Sequence, residues 1–165
     1  MDQAPDRPDA GQGAILVSAC LLGQSTRYDG RRLAVPPLIA GLEQARLLPV
    51  CPELLGGLLV PRPPARLVDA RPGREGLDVL EGRARLIDAQ GRDVTAAFLD
   101  GAREALERAM AARVVVAYLK DRSPSCGHDP EARNPRGGPG LGVLAALLLM
   151  HGIRVIEVRA SLRGD

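Results

Sequence analysis

Three short apolar runs in this 165-residue chain each lead to a cysteine, and the chain has no other cysteine. Ile15-Leu16-Val17-Ser18-Ala19 runs into Cys20, and Leu47-Leu48-Pro49-Val50 runs into Cys51. Val114-Val115-Val116-Ala117-Tyr118-Leu119 runs through Lys120-Asp121-Arg122-Ser123-Pro124-Ser125 into Cys126. Apolar runs this short, bounded by turn residues, read as strands buried on both faces of a parallel sheet. In such sheets ligands bind outside the carboxyl ends of the strands, near the point where strand order switches. The three thiols are therefore expected to meet on one rim.

The remainder of the chain supplies the crossovers that a parallel sheet needs. Strands are expected over 14–19, 48–51, 114–119 and 153–158, with helices over 38–45, 94–112 and 141–151. Asp93 is placed to cap the middle helix, whose Val94, Phe98, Ala102, Ala105, Leu106 and Ala109 share one face. Turn pairs such as Pro72-Gly73, Glu75-Gly76 and Gln90-Gly91 break up 61–92, which reads as one or two small hairpins beside the main sheet. The expected fold is α/β: a single Rossmann-like domain over 13–165 with a mainly parallel sheet of about four strands, helices on its faces and a small hairpin insertion. Residues 1–12 lack apolar periodicity and read as a mobile tail.

Composition excludes several functions. Net charge is +2, with 22 basic and 20 acidic residues spread along the chain, so no basic block tracks a phosphate backbone. Aromatic residues are 2%, too few for a platform that stacks single-stranded nucleic acid. No apolar run is long enough for a membrane span, and Met1-Asp2-Gln3-Ala4-Pro5 does not open a secretory signal. The expected address is cytoplasmic, where an odd number of cysteines points to packing, catalysis or metal binding rather than disulfides.

Thiolates suit zinc and iron-sulfur clusters, and three protein thiolates leave one position open. The residues alone do not decide between such a site and three small buried hydrophobes. Glu53, two positions after Cys51, brings a carboxylate to the same rim. Ser123 and Ser125 bracket a proline just before Cys126. Lys120 is the single lysine among arginines, a compact ammonium. Tyr28 and Asp29 sit on the loop after Cys20, and the glycines from Gly137 to Gly142 precede a helix start where an anion could be cradled. His128 and His151 are acid-base candidates, His151 reading as structural at a helix end. A non-catalytic metal or iron-sulfur binding module, and a cysteine-dependent hydrolase pairing Cys126 with His128, remain as alternatives.

Taken together, Val17-Ser18-Ala19-Cys20-Leu21-Leu22-Gly23, Arg27-Tyr28-Asp29-Gly30, Cys51-Pro52-Glu53-Leu54-Leu55-Gly56-Gly57, Pro61-Arg62-Pro63-Pro64, Asp93-Val94-Thr95, Ser123-Pro124-Ser125-Cys126-Gly127 and Gly140-Leu141-Gly142-Val143 resemble the small bacterial thiouracil desulfidase family. The resemblance implies a [4Fe-4S] cluster held by Cys20, Cys51 and Cys126 with the fourth iron open. It implies Glu53 as the acid-base group and Ser123 as its assistant. Tyr28, Asp29, Lys120 and Ser125, placed by the residue pattern near the same rim, are the candidate substrate contacts. The implied reaction converts C=S to C=O on a thiolated pyrimidine of the 2- or 4-thiouracil type; the weakly basic charge balance favours a small molecule over tRNA. The chain departs from the family pattern at Thr26, where many members carry a further cysteine, and at Leu144, where many carry threonine.

Overall fold

A computed structural model describes residues 13–129 and 140–164. The expected tail at 1–12 and the glycines at 137–138 lie outside the described residues. In chain order the elements are β1 (Ile15–Ser18), α1 (Pro37–Ala40), β2 (Leu47–Val50), α2 (Pro52–Leu55), β3 (Ala65–Val68), α3 (Glu75–Leu80), β4 (Arg85–Asp88), α4 (Thr95–Ala111), β5 (Val116–Lys120), β6 (His128–Asp129), β7 (Gly140–Leu141), α5 (Val143–Met150) and β8 (Arg154–Val158).

The main sheet has four strands in the order β2-β1-β5-β8, all parallel. Alternation along β1 divides the core. Leu16 packs with Phe98, Ala102, Leu144 and Leu148 under α4 and α5, whereas Ile15 and Val17 pack with Leu21, Leu33 and Ile39 on the other face. Burying a side chain such as Phe98, which is fully enclosed, contributes about 1.5–3 kcal/mol. Among the described residues no helix is long and apolar enough to cross a membrane.

Three expectations shift in detail. The strand expected from residue 114 begins at 116. Val114 is still closing α4, its N–H donating to the Ala109 carbonyl at 2.9 Å after Arg113 turns into the left-handed region at φ 56°. The helix expected over 38–45 is cut short at Gly41, and a 3-10 turn at Gln44–Arg46 leads into β2. The insertion is an antiparallel pair, β3 with β4, but its strands are separated by α3 rather than by a tight turn. Gly76, which reads as a turn signal, is a helix residue: a Cβ there would lie 2.5 Å from the Gly142 carbonyl oxygen. Close approach, not a reversal of the chain, requires that glycine.

Two further packing details set up the rim. A Cβ on Gly101 would lie 1.7 Å from the Pro52 carbonyl oxygen, so α4 draws α2, and with it Cys51 and Glu53, against its backbone. At the start of α5 the N–H groups of Val143 and Leu144 donate to the Pro124 and Ser125 carbonyls at 3.1 and 2.8 Å. These donors hold the turn before Cys126, so the helix start serves that turn rather than an anion.

Candidate active site

The rim is built at the switch in strand order. From β1 the chain moves first to β2 on one side and later to β5 on the other, so the turns after these three strands converge. Cys20 lies in a 3-10 turn directly after β1, Cys51 at the start of α2, and Cys126 in the turn after β5. All three line one cavity of about 290 Å³, together with Ser18, Thr26, Tyr28, Glu53, Arg62, Lys120, Ser123 and Ser125.

Burial is the main influence on the thiols. It pushes Cys20 up to about 11, with the neighbouring Cys51 adding to the rise and Lys120 and Arg27 opposing it. Burial likewise raises Cys51, whose Sγ lies 3.9 Å from the Thr26 carbonyl oxygen. Cys126 is pushed up furthest, by burial and then by Cys20, while a hydrogen bond with Ser18 opposes the shift. The thiols act on one another electrically because they share one cavity. Burial disfavours the thiolate form of each, the opposite of the lowered pKa that activates a nucleophilic cysteine. Among the described residues no three His, Cys, Asp or Glu side chains are placed to hold a single metal ion. An iron-sulfur cluster takes one thiolate per iron, and three cysteines on separate turns around one cavity are a donor set of that chemistry.

Glu53 joins the thiol rim to a second set of polar groups. Its Oε2 accepts a hydrogen bond from Ser125 Oγ at 2.8 Å, and its Oε1 accepts one from Arg62 Nε at 3.2 Å. Ser123 Oγ lies 3.1 Å from Ser125 Oγ and accepts the Cys126 N–H at 3.1 Å. Ser125 therefore contacts the carboxylate directly, with Ser123 one hydrogen bond behind it. The Glu53 side chain is 16% exposed and the Arg62 side chain 7%.

The remaining candidates divide. Lys120 lines the cavity, its Nζ held 2.5 Å from Asp121 Oδ1 and its backbone N–H donating to Ser18 Oγ at 3.0 Å. Tyr28 lines the cavity half-exposed, with the Arg27 guanidinium 5.6 Å from its ring centre. Asp29 is not on the wall: it holds Arg27 through two 3.2 Å hydrogen bonds and accepts the Arg31 N–H, and Arg27 holds its carboxyl below the usual range. His151 caps the end of α5, its Nδ1 2.9 Å from the Leu147 carbonyl oxygen. The sequence reading assigned no role to Ser18, Arg27, Arg62 or Arg122, all lining residues. For Arg62 the available signal was a lone cation fixed among Pro61, Pro63 and Pro64.

A doubly covered parallel sheet with three thiols and a carboxylate at its switch point defines an α/β protein equipped for thiolate-metal chemistry. The family model for 2-thiouracil desulfurase matches residues 15–159, and the chain belongs to that family of carbon-sulfur bond-cleaving enzymes. It is 39% identical over 146 residues to the uncharacterized protein YbbK of Bacillus subtilis (strain 168), covering 87% of this chain and 94% of that one. It is also similar to a solved structure described as the [4Fe-4S]-dependent thiouracil desulfidase TudS. The identity is 39%, with 88% of this chain and 91% of that chain covered and a TM-score of 0.69.

Proposed function

We propose that this chain removes the sulfur of a thiolated pyrimidine of the thiouracil type, consuming water and releasing sulfide as C=S becomes C=O. The observation that carries the reading is the single cavity shared by Cys20, Cys51, Cys126 and Glu53. Cys20, Cys51 and Cys126 would hold a [4Fe-4S] cluster, in keeping with a donor set made only of thiols on three separate turns. When bound, the group supplies a soft Lewis acid with an open position suited to a thione sulfur.

The chain's own residues do the rest. Glu53 Oε2, at the cavity, takes a proton from the water that adds to the thione carbon and returns it as the adduct collapses. Ser125 holds that oxygen, and Ser123 steadies Ser125 while tying down the Cys126 backbone. Lys120 places a positive charge beside Cys20, and the Tyr28 ring offers a flat wall for a pyrimidine. Asp29 acts through Arg27, which it holds against that ring.

The test is anaerobic reconstitution with iron and sulfide, followed by metal analysis and incubation with 2- and 4-thiouracil. About four irons per chain and loss of thione absorbance are expected. A protein that loads no iron where a control does would overturn the cluster assignment, and a loaded protein inert toward both bases would overturn the substrate.

A further inference from the structure

Arg62 is a residue of the cavity wall whose role nothing above explains. Its side chain is only 7% exposed, and burying a guanidinium is costly unless its donors find acceptors. They do: Nε donates to Glu53 Oε1 at 3.2 Å, Nη2 to the Thr26 carbonyl at 2.8 Å and Nη1 to the Leu59 carbonyl at 3.1 Å. Its backbone N–H donates to the Tyr28 carbonyl at 2.8 Å. One side chain thus spans the loop after β1, which carries Tyr28, and the start of α2, which carries Cys51 and Glu53.

We propose that Arg62 is the positioning residue of the desulfidation reaction. By holding Oε1 it turns Oε2, the oxygen shared with Ser125, toward the substrate. By holding the Thr26 carbonyl, beside the Tyr28 carbonyl that its own backbone N–H already ties, the side chain fixes the facing wall at a set distance from that oxygen. A guanidinium suits this task because its donors diverge in one rigid plane, whereas a lysine ammonium would reach one acceptor at a time. The prolines on either side, Pro61, Pro63 and Pro64, stiffen the segment that carries it. The proposal rests on the reading of Glu53 as the acid-base group.

A double-mutant cycle on the reconstituted enzyme tests it, using Arg62→Gln, Glu53→Gln and the pair, with Arg62→Lys as a milder variant. Arg62→Gln should lower kcat by about 10- to 100-fold, as expected for a misplaced reacting group, while KM changes by less than about threefold. Iron and sulfide content per chain should stay at the wild-type level. The double variant should be no slower than Glu53→Gln alone, since there is then no carboxylate to position. Arg62→Lys should recover only part of the loss.

Two results would overturn the positioning role while leaving Glu53 in place. One is Arg62→Gln turning over within about twofold of wild type while Glu53→Gln is inactive; the other is losses that multiply in the double variant. A Glu53→Gln enzyme with wild-type kcat would instead remove the acid-base reading itself. If Arg62→Gln does not fold, wild-type kcat in Arg62→Lys would overturn the proposal and a partial loss at full iron content would support it.

Discussion

Asp78 and Glu53 are both held by arginine, and their surroundings differ. Asp78, on α3, is fully buried, and its oxygens accept hydrogen bonds from the Arg71 backbone N–H, Arg71 Nε and Nη2, and Arg74 Nε. Arg71 above all holds its carboxyl well below the usual aspartate range. Glu53 accepts one bond from Arg62 and one from Ser125, and it opens onto a cavity. Four donors close off a carboxylate and make it a structural tie. Two donors orient it and leave lone pairs free for a substrate or water. Both sites pair an acid with an arginine, so an ion pair alone does not separate tie from reactive group.

The strongest way to break this contrast is to remove each charge in turn. Glu53→Gln should keep its iron and lose on the order of 10²- to 10⁴-fold in kcat, measured by thione loss. Wild-type turnover would make Glu53 a tie like Asp78. Next in size is Gly101→Ala, whose Cβ would overlap the Pro52 carbonyl. It should cost about 3 kcal/mol by denaturant melts and lower activity by displacing α2. An unperturbed variant would show that α2 is not pinned there.

Asp78→Asn should cost about 1–3 kcal/mol at neutral pH and leave kcat per loaded iron unchanged. Because the folded-state pKa of Asp78 is depressed, its contribution is fully present above the unfolded value near ~3.9 and is lost as pH falls toward the folded value. Wild type and variant should therefore converge in strong acid, and a gap that persists there would rule out the ionised carboxylate as its source. Smallest is the removal of one hydroxyl. Ser125→Ala should lower kcat a few-fold, about 0.5–1.5 kcal/mol, and more than Ser123→Ala does. The opposite order would place Ser123 nearer the chemistry.

Much of the frame was legible before any coordinates. Three apolar runs ending on cysteines located three of the four main strands and the rim, because strand side chains alternate with a fixed period and turns announce themselves by residue type. Asp93 announced the start of α4 to within a residue: the helix begins at Thr95 with Val94 at its N-cap, and Asp93 Oδ1 accepts the Thr95 N–H at 3.0 Å just ahead of it. The helix α3 was not legible, since Gly76 reads as a turn wherever its tertiary neighbour is unknown. Nor was the hydrogen bond from Ser125 to Glu53, which joins residues 72 positions apart.

By itself the sequence determined which segments form the four strands of the main sheet, that cysteines follow three of them, and that a carboxylate accompanies one. Those features depend on local residue order and short periodicities. Only the tertiary structure decided that Arg62 is buried against Glu53 and that Ser125 rather than Ser123 touches the carboxylate. It also decided that Asp29 faces Arg27 instead of the cavity. These contacts follow from strand order and from backbone approaches such as Gly101 against Pro52, which bring together side chains that no local pattern relates.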